Sequence, residues 1–180
     1  MERDIVNIKR DLENKKNNDI IWKKAKIMEM FKEDPDLAEI LGWDEALEEK
    51  KDKEKYIIPW LKLNGIQKEV RNFVMFDIDD TDVSYTNNVI KNQYLIVMCL
   101  VHEDNMDTEY DIPRTDLLDY IVKDLLCWTN ALGMQLKCVN DFQDIIDSKY
   151  YARTIKFKIQ EVNNVQGGGN KYDYDRPKKI

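Results

Sequence analysis

Four aspartates crowd one short stretch of the chain. Asp77, Asp79, Asp80 and Asp82 fall in the run Val74-Met75-Phe76-Asp77-Ile78-Asp79-Asp80-Thr81-Asp82. Clustered carboxylate oxygens suit a hard cation, Ca²⁺ or Mg²⁺, but this spacing lacks the glycine and the distal glutamate of an EF-hand loop. The run therefore reads first as a solvated acidic loop. A second acidic stretch, His102 to Asp111, carries Glu103, Asp104, Asp107, Glu109 and Asp111. His102 is the single histidine, with no evident nucleophile beside it, so a Cys/His zinc site is not expected. Cys99, Cys127 and Cys138 show no C-x-x-C spacing and fall in apolar segments. They read as buried thiols in a reducing compartment. The chain has no G-x-G-x-x-G, no P-loop lysine and no G-x-S-x-G. Gly167-Gly168-Gly169 has no suitable strand before it and no helix after it, so it is not a phosphate cradle. No cofactor and no metal are expected.

An apolar strand ending in D-x-D-x-T resembles the first motif of haloacid-dehalogenase-type phosphatases. The resemblance implies Asp77 as nucleophile and Asp79 as general acid/base, with Mg²⁺ between them. Lys137, Asp141 and Asp144 would then be the remaining basic and acidic parts. Three features depart from the pattern. Asp80 stands where that family usually has glycine, and the next strand ends at His102 rather than at Ser or Thr. The connection DDTDVSYTNNVIKN is about the minimum length for a parallel crossover and carries no helical stripe. It reads better as a long hairpin. A Mg²⁺-dependent phosphatase is the alternative reading of this chain.

The elements that must hold these residues centre on Gln93-Tyr94-Leu95-Ile96-Val97-Met98-Cys99-Leu100-Val101, the most apolar run. It suits a pleated strand and is far short of the ~20 apolar residues of a membrane span. It is apolar on both alternating faces, so both need cover. One cover is the helix after Pro113, with Leu117, Leu118, Ile121, Val122, Leu125, Leu126 and Leu132 at helical spacing and Gly133 as terminator. The other is the N-terminal helices or a neighbouring copy. Residues 2–33 read as helix in two pieces, with Asn17-Asn18-Asp19 between them. Asp34-Pro35 breaks the chain, and a short helix from Asp36 to Leu41 closes at Gly42. Val70 to Ile78 is the first strand and Asp79 to Asn92 a polar loop. Met134 to Val139 is the third strand, followed by a loop from Asn140 to Ser148. Tyr150 to Ile159 is the fourth, with Tyr151, Ile155, Phe157 and Ile159 on one side and Thr154, Lys156 and Lys158 on a wet side.

This order predicts an α+β fold: a mainly antiparallel sheet with a helix packed on one face, plus an N-terminal helical appendage. Residues 1–55 form the appendage and a charged linker, 56–161 the α+β domain, and 162–180 a polar, glycine-bearing tail. The chain has 180 residues and a formal net charge of −7. That balance excludes a general nucleic-acid clamp, which needs clustered Lys and Arg. It is compatible with lining a passage through which DNA slides. The first residues lack the apolar core of a secretory signal, so the chain is expected to begin in a cytoplasm.

From about Ile58 to Gln160 the chain resembles the neck and tail-completion proteins of tailed bacteriophages, with the tail-terminator and head–tail joining group the nearest comparison. The residues that carry this are the strand Phe73–Asp77, the strand Gln93–Val101 after Asn87 and Asn88, the helix from Ile112-Pro113-Arg114 through Leu132, and Asp147-Ser148-Lys149-Tyr150-Tyr151-Ala152-Arg153 entering the last strand. The match is one of order, length and texture. It implies a ring-forming virion protein, often hexameric, without enzymatic activity. Its partners would be copies of itself, the tail tube and the head-side connector or portal, with DNA only as passing cargo and no membrane. It implies a place in the virion neck or tail, and in the host cytoplasm during assembly. On this reading Tyr94, Ile96, Met98 and Leu100 form an interface. Asp77, Asp79, Asp80, Asp82, Glu103 and Asp104 line the lumen.

Overall fold

The computed structural model describes residues 20–42, 56–61, 70–83, 90–130, 132, 135–147 and 149–162. The expected first helical piece, the cap at Asn17–Asp19, the charged linker, the Gly133 terminator and the tail from 163 on lie outside them. Described elements run α1 (Ile20–Glu33), α2 (Pro35–Leu41), β1 (Ile57–Ile58), β2 (Phe73–Val83), β3 (Ile90–His102), α3 (Arg114–Cys127), β4 (Lys137–Asp147) and β5 (Tyr150–Val162). The fold is α+β, with three helices and one five-stranded, mostly antiparallel sheet among the described residues.

Strand order is β1-β2-β3-β5-β4. β2 and β3 form an antiparallel hairpin, with Phe73 opposite Leu100 and Asp77 opposite Ile96. β5 lies antiparallel between β3 and β4. β3, α3 and β4 therefore form a split β-α-β unit with β5 inserted. β1 adds two residues parallel to β2 and stops before Pro59, which has no N–H for a ladder.

Local chemistry sets the helix boundaries. The Asp34 carboxylate accepts the Leu37 backbone N–H at 2.7 Å, and Pro35 occupies the first turn of α2. Gly42 ends α2 at φ 71°, a left-handed conformation that costs glycine nothing. Pro113 precedes α3, where a missing N–H is harmless. α3 ends at Cys127, short of the expected Leu132, although Leu132 is still buried.

All three helices lie on one side of the sheet. Ile27 and Phe31 of α1, Leu37, Ile40 and Leu41 of α2, and Leu118, Val122 and Leu126 of α3 share a single apolar core with Val74, Phe76, Leu95, Val97, Ile155 and Phe157. The N-terminal helices thus cover the same face as α3 and leave the second face without a helix among the described residues. At one end of that second face Phe73, Met75, Leu100, Tyr150 and Ala152 form a smaller buried cluster. Thr154, expected on a wet side, is buried there, and Tyr151 is only half-buried.

The polar stretches are strand to a degree the side chains do not advertise. β2 begins at Phe73 rather than Val70 and runs through the acidic run to Val83, and β3 begins at Ile90. Most of the expected loop is thus strand, and residues 84–89 lie outside the described ones. The ladder to Tyr94, Asn92 and Lys91 continues past Asp79 at the cost of a register shift between Asp79 and Asp82. Likewise Lys137–Asp147 is one strand, not a strand plus a loop, because β5 pairs with it from Lys158 to Tyr150. Backbone hydrogen bonds to a strong neighbour outweigh the low strand propensity of Asp and Asn.

Candidate functional site

The second sheet face carries the residues expected at an interface. Leu100 is 2% exposed and already packed within the chain, while Tyr94, Ile96 and Met98 keep part of their surface. The Lys156 ammonium sits 4.0 Å from the centre of the Tyr94 ring, a cation–π contact across the β3–β5 pair.

The acidic residues do not gather at one point. Asp77 and Asp79 lie at the β2 end that pairs with Ile96 and Tyr94. The Asp77 carboxylate is paired with Lys24 of α1 at 2.5 Å, and Lys24 also donates to the Pro59 carbonyl at 3.2 Å. Asp79 is half-buried, and the Asp80 and Asp82 side chains lie outside the described residues. Glu103 and Asp104 are exposed beyond the opposite end of β3, in a 3₁₀ turn. At about 3.3 Å per strand residue the two groups stand roughly 30 Å apart. His102 is buried and structural: its Nδ1 accepts the Asp104 N–H at 3.2 Å, and its ring meets Tyr150 edge-on.

The phosphatase parts are not assembled. β2 and β3 are antiparallel, so the two aspartates do not end a same-direction sheet. Asp77 and Asp141 stand on strands separated by β3 and β5, about 14 Å at ~4.8 Å per step. Among the described residues no three His, Cys, Asp or Glu side chains converge to hold a metal, and no helix is long and apolar enough to cross a membrane.

Asp141 instead joins a charged network that the sequence reading missed. The Arg153 guanidinium grips it with two bonds, Nε to Oδ1 at 2.7 Å and Nη2 to Oδ2 at 2.8 Å. Arg153 Nη1 reaches Asp116 at 3.1 Å, and Nη2 lies 3.6 Å from Asp119. Lys123 bridges Asp119 at 2.7 Å and Asp141 at 2.5 Å. One patch thereby ties α3 to β4 and β5. The Arg153 bonds hold the Asp141 carboxyl below its ordinary range, against burial. The same bond to Asp141 raises Arg153. For Lys123 burial pulls the ammonium down, and the Asp119 and Asp141 bonds outweigh it and raise it. Cys99 lies buried beneath, and burial, then the nearby Asp119, push its thiol up, so it is inert. Cys127 and Cys138 are free and half-buried rather than buried. Only the Asp119–Lys123 spacing of four was visible as a helical ion pair.

Arg114 makes a second clamp. Its Nε donates to the Asn105 carbonyl at 2.6 Å, Nη1 to the Ile40 carbonyl, and Nη2 to the Asp107 carbonyl at 3.5 Å. It locks the end of α2 to the acidic loop and the start of α3. Burial lowers its pKa. Beside it a shallow cavity of about 210 Å³ is lined by Asp36, Glu39, Ile40, Tyr110, Leu117 and Ile121. The Tyr110 hydroxyl donates to Glu39, and that bond pushes it up to about 12. Nothing in this arrangement is a nucleophile paired with a base. It is a set of braces around exposed surfaces.

The profile of the YomW protein family matches residues 7–159. The chain belongs to the YomW family. YomW is a phage-derived family, from a Bacillus prophage, so this is a phage-associated protein. The YomW match spans α1, α2 and all but the last residues of β5. No curated protein and no solved structure matches the chain.

Proposed function

We propose that this YomW-family protein is a virion structural protein of the phage neck. It forms a ring that terminates the tail tube and joins it to the head-side connector. It acts by shape and docking and performs no chemistry. The observation that carries this reading is the membership in a phage-derived family of a chain whose element order resembles the tail-terminator and head–tail joining group.

Two features support it. The half-covered sheet face with Tyr94, Ile96 and Met98 offers apolar surface to a neighbouring copy. A ring contact is heterologous and closes by rotation, so one such face and a different complementary face suffice. The acidic residues Asp77 and Asp79 on one side and Glu103 and Asp104 on the other stand toward opposite ends of β3. If the strands run along the channel, these groups guard its two mouths and repel passing DNA.

The test is genetic. In a phage whose copy of this gene is silenced, electron micrographs of lysates are expected to show filled heads and separate tails. Intact, joined and infectious particles at normal yield would rule the assignment out.

A further inference from the structure

β4 is an edge strand that is exposed on both sides. Its outer neighbour position is empty among the described residues. Val139 is 45% exposed, Phe142 45% and Ile145 62%. Asn140, Gln143 and Asp144 are exposed as well. Soluble proteins blunt such edges with short strands, lysines or cover, because unpaired N–H and C=O groups recruit another strand. β4 has eleven residues and a single lysine, at its first position. Two register shifts, between Cys138 and Asn140 and between Ile145 and Asp147, bracket a regular stretch from Asn140 to Ile145. A regular stretch of edge with exposed apolar side chains, uncovered among the described residues, is an interaction surface.

We infer that β4 pairs antiparallel with β4 of a second copy, about a two-fold axis through Phe142. The sequence of the strand, KCVNDFQDIID, selects that register. A two-fold axis perpendicular to the sheet keeps each face continuous, so opposed residues must share a face and their numbers must sum to an even value. Centring on Asp141 or on Asp144 sets a carboxylate against its own copy, and like charges directly opposed are destabilising. Centring on Gln143 sets Asp144 against Phe142 and Asp141 against Ile145. Centring on Phe142 matches the regular stretch: Phe142 meets Phe142, Asn140 meets Asp144, and Gln143 meets Asp141.

The charge already held within the chain favours the same register. Asp141 is neutralised by Arg153 and Lys123, so it adds little repulsion at the edge. Asp144, exposed and without a described ion pair, is the carboxylate that Asn140 of the other copy would receive. The contact is isologous and is complete at two copies. It is distinct from the rotational contact of the proposed ring and stands or falls without it.

Sedimentation velocity over a wide concentration range tests the pairing on the full chain. The wild type is expected to show a reversible dimer. Asn140→Lys places a cation opposite Asp144 twice over and is expected to tighten the dimer about tenfold. Asn140→Asp places acid opposite acid twice and is expected to weaken it about tenfold. Asn140 is exposed and its side chain bonds locally, accepting the Asp141 N–H at 3.0 Å, so both variants are expected to fold, and unchanged far-UV circular dichroism checks this. Opposite shifts of the two variants support the register. A monomer at every concentration, or variants that shift the constant together or not at all, overturns it.

Discussion

Replacing Phe31 by alanine is expected to lower the unfolding free energy by about 3–5 kcal/mol, as for other fully buried aromatics. Phe31 is 0% exposed and meets the Phe76 ring edge-on, with centroids 5.7 Å apart. Phe76 is itself fully buried on the helix-covered face of β2. The substitution therefore removes a ring from the junction of α1 and the sheet, where rigid neighbours on both sides cannot collapse into the gap. Urea unfolding read by circular dichroism gives the change as a lower midpoint at unchanged slope. Ile21→Ala on the exposed side of the same helix is the control, because Ile21 is 54% exposed. It should cost no more than about 0.5 kcal/mol. A small effect at Phe31 would make α1 an appendage that the sheet does not need.

Arg153→Ala carries the second large effect, about 2–3 kcal/mol at neutral pH. Removing one partner of a buried ion network leaves the other charges uncompensated. Here Asp141 and Asp119 would share the single ammonium of Lys123, and Asp116 would lose its contact with the guanidinium. The side chains of Arg153, Asp141 and Asp119 are 23%, 19% and 11% exposed, so the cost lies below that of a fully buried pair. The pH dependence has a definite sign. In the wild type the Asp141 carboxyl is held below its ordinary value of 3.8, chiefly by Arg153. A carboxyl depressed on folding stabilises the native state above that ordinary value, and the contribution is lost as pH falls through the lower folded value. Without Arg153 the largest cause of that depression is gone. The gap between wild type and variant is thus expected to be full at neutral pH and to narrow below about pH 4. Urea midpoints across the acid range check it, and a gap that widens on acidification would contradict the role given to Arg153.

Much of the scaffold is readable from particular residues. Asp34-Pro35 and Gly42 mark α2 because capping and left-handed backbone are local chemistry. The run from Gln93 to Val101 declares a central strand, and it has β2 on one side and β5 on the other. The connection after Asp79, about the minimum length for a crossover and without a helical stripe, reads as a hairpin, and the pairing is antiparallel. What was not readable depends on neighbours distant in sequence. Asp79 to Val83 and Asn140 to Asp147 are strand because β3 and β5 offer them a ladder, which their own propensities do not reveal. The side of the sheet that α1 chooses is fixed by Phe31 meeting Phe76, 45 positions away. The network of Arg153 with Asp116, Asp119, Lys123 and Asp141 joins three elements that no spacing rule connects.

The candidate site was readable only as texture. The apolar face of β3 was visible from alternation, but the burial of Leu100 beneath Phe73 and Tyr150 was not. The acidic stretches were visible as charge, but their separation to opposite ends of β3 follows from strand length and pairing. The D-x-D-x-T run was the sharpest chemical motif, and the antiparallel neighbour removes its context.

We propose that this protein works by docking at the end of a phage tail. Cryo-electron microscopy of purified tails lacking the protein, before and after its addition, addresses it most directly. The expected result is a closed ring of copies at one end of each tube, with the end opposite the baseplate occupied. Bare tube ends at saturating protein, or copies bound along the sides of the tube with no ring, would contradict it.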